Sequence, residues 1–133
     1  MIAKPLEIAF SLAVQEARTR RNEMVTLEHL LLAMITEHHA ADVLRNCGAD
    51  LTTLKEDLVG HLATLPTVPD GVELDMEQTM AVTRVLQRAA IHVQSSGKKE
   101  IDAGDVLAAM YRESESFAIY LLKKQGVTRL DIL

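Results

Sequence analysis

A helical pattern of apolar residues near the N-terminus returns 76 positions later, and this repetition constrains the fold more than any other feature. Leu6, Ala9, Phe10, Ala13, Val14 and Ala17 follow the three-and-four spacing of an amphipathic helix. Val82, Val85, Leu86, Ala89 and Val93 trace the same stripe. The displacement from Ala13 to Ala89 also joins Leu31 to Leu107, Ala33 to Ala109, Met34 to Met110 and Glu37 to Glu113. Further on, "LRNCG" answers to "LLKKQG", and the offset drifts to 78 between Gly48 and Gly126.

Helix starts repeat as well. Thr26 has the position of an N-cap, followed by the stripe Leu27, Leu30, Leu31 and Met34, with Glu28 in the first turn where the helix dipole favours an anion. Asp102 stands where Thr26 stood, and Asp105 completes a capping-box-like arrangement with it. Pro5 suits the first turn of the first helix, where its missing N–H is no loss. A short helix is predicted from about Ala40 to Asn46, stopping at Gly48. Asp50 then caps a fourth helix carrying Leu51, Leu54, Leu58 and Leu62. Thr128 falls where Asp50 fell, as the cap of a last helix that the chain cuts short at Leu133.

Between the two halves, "TLPTVPDGVELDMEQT" holds two prolines, an Asp-Gly pair and four acidic residues, the composition of an exposed connection. No stretch alternates apolar and polar residues as a strand does. The chain is therefore predicted to be all-α, with about eight helices: repeat 1 over about 1–62, a linker over about 63–78, and repeat 2 over about 79–133. One such unit alone would expose an apolar face, and packing the two together covers it.

Composition excludes several functions. A net charge of -5 and an aromatic content of 3% disfavour phosphate-backbone binding and base stacking, so no nucleic-acid partner is expected. No apolar run approaches the roughly 20 residues that span a bilayer, and the single Cys47 fits a reducing compartment; a cytoplasmic protein is expected. His38 and His39 are adjacent and point about 100° apart on a helix, no HExxH occurs, and Cys47 has no paired ligand, so no metal site is expected. Ser95-Ser96-Gly97 marks a helix end rather than a nucleophile elbow. Gly97-Lys98 lacks the preceding glycine and strand of a P-loop. The chain offers no catalytic residues and no cofactor site, and it is read as a non-enzyme.

Two groups of polar residues are left over. Glu23 precedes the cap and should project into solvent, with Glu28 only partly explained by the helix start. Arg84 and Arg88 lie one turn apart, away from the Val85–Leu86–Ala89 stripe, on a face that is either solvated or able to meet a partner's carboxylates.

"TLEHLLLAM", "RVLQRAAIHVQSSGKKEIDAGDVLAAM" and "ESFAIYLLKKQGVTRLDIL" together resemble the N-terminal domain of the Clp AAA+ chaperones, over essentially the whole chain. "HVQSSG" and the "YLL-K…V-RLD" pattern resemble the ClpA type, the unfoldase subunit that feeds the ClpP protease. The resemblance implies a pseudo-twofold all-α receptor domain for protein substrates and for the N-degron adaptor ClpS. It also implies ATPase modules beyond Leu133 that alone bind ATP, a bacterial cytoplasmic setting, and an isolated domain that is monomeric. Carried over residue by residue, the adaptor-facing positions are Glu23, Glu28, Thr79 and Arg84, with Thr26 and Arg88 nearby. Position 22 is Asn22 where a relative's histidine would stand, so no inherited surface metal is expected. Charge reversal at Glu23 plus Glu28 is expected to weaken adaptor binding without lowering the melting temperature. The alternative is a stand-alone interaction protein of the same fold, with no ATPase attached.

Overall fold

Pro5 pre-sets the first turn of α1 (Lys4–Thr19), whose Leu6, Ala9, Ala13 and Ala17 are buried along one stripe. The structure, a computed structural model, describes residues 2–132, so Leu133 lies outside the described residues. The remaining helices are α2 (Leu27–Thr36), α3 (His38–Asn46), α4 (Leu51–Leu62), α5 (Met80–Ser96), α6 (Ala103–Met110), α7 (Phe117–Lys124) and α8 (Arg129–Ile132). Each half has a long amphipathic helix, a central helix and two further helices, as the repeat predicts.

The central helices are the ones submerged. All nine residues from Leu27 to Ile35 of α2 are buried, as are six of the eight residues of α6. A helix wrapped on all sides is what an almost uninterrupted apolar sequence requires. Leu30, Leu31, Met34, Val106, Leu107 and Met110 are among the deepest side chains, and each large one contributes on the order of 1.5–3 kcal/mol by leaving water. Across the two halves α2 packs on α7, and reciprocally α6 packs on α3.

Two short extended pieces were not expected. Met24–Val25 (β1) and Glu77–Gln78 (β2) form a parallel pair, Val25 opposite Gln78. Ile2 pairs with Ile101 in the same parallel sense. These are one interaction used twice: adding 76 to Val25 gives Ile101, and adding 76 to Ile2 gives Gln78. The bonds match too, Thr79 N–H donating to Val25 O at 3.1 Å and Ala3 N–H to Ile101 O at 2.9 Å. The segment before a long helix in one half thus clips onto the segment before the central helix of the other. Strands of two residues are too short to leave an alternating pattern.

α3 begins at His38, two residues earlier than predicted, because Glu37 caps it by accepting from the N–H groups of His39 and Ala40. The linker is largely exposed as expected, but it is pinned. Arg21, at φ 59°, donates Nε to Val68 O at 3.1 Å and Nη2 to the carbonyls of Pro69 and Val72, while Val68 N–H donates to Arg21 O. Asn22 Nδ2 adds a bond to Pro66 O at 3.2 Å.

Candidate docking site

Thr26 is the N-cap of α2, accepting from His29 N–H at 3.3 Å. His29 returns the interaction: its Nδ1 accepts the Thr26 backbone N–H at 3.0 Å, so the proton of the neutral ring sits on Nε2 and reaches Asn22 Oδ1 at 2.9 Å. His29 is fully buried, and burial holds its pKa below the usual value. At the matching start of α6, Asp105 does for Asp102 what His29 does for Thr26. The role of His29 was legible in principle, since it lies 76 positions before Asp105. The role of Asn22 was not, because it depends on where the linker returns.

Glu28 is 9% exposed. Its Oε2 accepts from Ser116 Oγ at 2.7 Å and from Ala118 N–H at 3.1 Å, so it caps α7 of the other half. Ser116, the N-cap residue, makes no side-chain cap bond itself. His61 Nε2 lies 3.6 Å from Glu28 Oε1, and its ring stacks on Phe117 at 4.3 Å. Charge reversal here would bury a lysine against an uncapped helix, which corrects the expectation that such a change leaves the melting temperature intact.

Arg84 and Arg88 do not present free guanidinium groups. Arg84 donates Nε and Nη2 to the two oxygens of Glu113 at 3.2 and 2.6 Å, and Arg88 Nη1 donates to the same carboxylate at 2.5 Å. The Arg84 guanidinium, aided by Arg88, holds the Glu113 carboxyl below the ordinary carboxylate range, and Glu113 in turn raises the pKa of Arg84. No helical periodicity flags this pairing, because Glu113 lies in the turn after α6.

Thr26, Glu28, Thr79 and Arg84 line one shallow depression of about 270 Å³ together with Glu113 and Ser116. Thr79 caps α5 by accepting from Val82 N–H at 3.3 Å, and its own N–H donates to Val25 O beside Thr26. Glu23 is exposed and is not among the residues that line the depression; its carbonyl accepts from Glu77 N–H at 3.1 Å. Arg88 faces a neighbouring groove with Ile91 and His92. Met80, next to Thr79 in sequence, and Met24, two residues before Thr26, stand exposed at the starts of α5 and β1. Elsewhere, His38 and His39 are exposed and meet Asp42 and Glu37 of their own segment. Cys47 packs at the core's edge, where burial pushes its thiol pKa up, away from a reactive thiolate. Among the described residues, no helix is long and apolar enough to cross a membrane.

These features define a duplicated all-α domain whose two halves cap and clip each other, with a mixed polar and apolar depression at their junction. Residues 1–125 match the Clp repeat (R) N-terminal domain, and the chain belongs to that family. It is similar to a ClpA homolog protein of Fuscovulum blasticum, 48% identical over 130 residues, covering 95% of this chain and 16% of that protein. This chain therefore corresponds to about one-sixth of the relative's length. Among solved structures it is similar to the Hsp104 N-terminal domain of Candida albicans (TM-score 0.80, 16% identity, covering 98% of this chain and 85% of that one). It is also similar to a ClpV N-domain in complex with a VipB peptide (TM-score 0.77, 19% identity, 98% and 81% covered). At those identities the structures share the fold with this chain.

Proposed function

We propose that this domain is the adaptor- and substrate-docking receptor of a ClpA-type ATP-dependent unfoldase that feeds ClpP in the bacterial cytoplasm, and that it binds the adaptor ClpS. The observation that carries the reading is the convergence of Thr26, Glu28, Thr79 and Arg84 on one depression at the junction of the two halves. The 48% identity to a ClpA homolog and the peptide held by a ClpV N-domain of the same fold support it. The residues in and next to the depression would divide their work. Exposed Glu23 would meet the partner's charges, the Arg84–Glu113 pair would offer a fixed polar wall, Met24 and Met80 would supply apolar contact, and Glu28 would hold α7 in place behind them.

The domain's contribution is non-catalytic. A substrate-loaded adaptor tethered to it is concentrated near the ATPase pore, which raises the rate of engagement without any new chemistry. Calorimetric titration with ClpS tests this. The variant Glu23→Lys should weaken binding about tenfold or more, equivalent to about 1.4 kcal/mol, with an unchanged melting temperature. An unaltered affinity would place the adaptor elsewhere.

A further inference from the structure

The pseudo-twofold fold carries the same groove twice, with different side chains around it. In the first half, Leu12, Gln15, Glu16 and Thr19 of α1 face Leu32, Ala33 and Thr36 of α2, and Arg20, Lys55 and Val59 complete the lining. In the second, Arg88, Ile91, His92 and Ser95 of α5 face Ala108, Ala109 and Arg112 of α6, and Arg129 of α8 closes one end. The displacement of 76 places Leu12 on Arg88, Gln15 on Ile91, Glu16 on His92 and Thr36 on Arg112. The shape is common to both halves, and the lining has diverged.

The divergence has a direction. In the first groove Glu16 is neutralised by Arg20 at 2.7 Å, which leaves Lys55 of α4 as the other cation of the lining, against Arg112 and Arg129 in the second. In the second, the one carboxylate among the lining residues, Asp105, is occupied by Lys98 Nζ at 2.8 Å and by Asp102 N–H at 2.9 Å. Arg88 is engaged by Glu113. Arg112 and Arg129 are exposed and bond no carboxylate among the described residues, and His92 stands between α5 and solvent. Ile91, 63% exposed, lies at the mouth of a cleft of about 380 Å³ floored by Ala108 and Ala109. In a chain of net charge -5 this is a local excess of positive charge around an apolar floor.

We propose that the α5–α6 groove is a second docking site, which takes an acidic segment of a protein partner. An apolar side chain of that segment lies on Ile91, Ala108 and Ala109, and flanking carboxylates meet the forks of Arg112 and Arg129. A purely apolar occupant would strip water from two guanidinium groups without compensation, and a basic one would be repelled. A long polyanion such as nucleic acid would have to approach the acidic surface beyond the groove. The site is separate from the adaptor depression, in which neither Arg112 nor Arg129 takes part.

The test is fluorescence anisotropy with a short labelled peptide alternating Glu and Leu, against the same peptide with Gln for Glu and a single-stranded oligonucleotide. Amide chemical-shift mapping of the labelled domain locates the binding. The acidic peptide should saturate the domain, weaken as salt rises, and shift resonances of α5 and α6. The Gln peptide, and the acidic peptide on an Arg112→Glu/Arg129→Glu variant of unchanged melting temperature, should each bind about tenfold or more weaker. ClpS affinity of that variant should be unchanged, which keeps the two sites distinguishable. Equal binding of the Gln peptide, equal binding by the variant, shifts confined to α1 and α2, or tighter binding of the oligonucleotide would each overturn the proposal.

Discussion

Glu28 and Ser116, 88 positions apart, share a 2.7 Å hydrogen bond that fastens the start of α2 in one half to the start of α7 in the other. The same carboxylate oxygen accepts the Ala118 N–H, so one side chain supplies the cap that Ser116 does not. A residue that looks like the first-turn anion of its own helix is in fact the anion for another.

Glu28→Ala removes the acceptor and leaves the Ala118 amide unpaired where water has little access. The cost is expected at about 1.5–3 kcal/mol, read as a lower urea midpoint at an unchanged m-value. Glu23→Ala, on an exposed side chain two residues before β1 ends, should move the midpoint by less than about 0.5 kcal/mol.

His29 gives the domain a pH dependence with a definite sign. Burial holds its folded pKa below 6.5, with Glu28 opposing and Arg20 reinforcing the depression. The unfolded chain therefore takes up a proton that the folded one resists. Stability is complete above about pH 6.5 and falls as the pH drops through that value toward the folded pKa. His29→Gln can still accept the Thr26 N–H but cannot titrate, and denaturation profiles of the variant should be flatter from about pH 7 to pH 5.5.

Glu113 acts in the acid range. Its folded pKa lies below 4.5 because of Arg84 first and Arg88 second. Its contribution is present above about pH 4.5 and is lost as the pH falls through the folded value. Glu113→Gln should be less stable at neutral pH and converge on the parent in acid, as followed by thermal melts.

Two glycines should respond in opposite directions to alanine. Gly97 ends α5 at φ 76°, a left-handed conformation that a Cβ disfavours, so Gly97→Ala should cost about 1 kcal/mol. Gly60 lies within α4 with open space around its missing Cβ, and Gly60→Ala should add about 0.5–1 kcal/mol. Paired chemical denaturation curves decide both.

The helices were legible because apolar spacing and caps are local signals, and repetition at a fixed offset checked each against its partner. Thr26, Asp50, Asp102 and Thr128 all stand at helix starts where they were expected. The crosswise strand pairs were hidden, since two extended residues carry no period and their partner lies in the other half. The placement of Glu28 and the Arg84–Glu113 pair depends on which helix lands beside them. Adjacency in sequence reveals neither. The resemblance named Glu23, Glu28, Thr79 and Arg84 as adaptor-facing, with Thr26 and Arg88 nearby; Thr26, Glu28, Thr79 and Arg84 line one depression, whereas Glu23 is not among its lining residues and Arg88 lines the next groove.

If ClpS docks in the junction depression, amide chemical-shift mapping of the labelled domain during titration with ClpS will register it there. Perturbations are expected at Glu23–Glu28, at Glu77–Arg84 and around Glu113–Ser116, with the far ends of α3 and α8 unmoved. Saturable shifts confined to α3 and α8, with the depression silent, would contradict it.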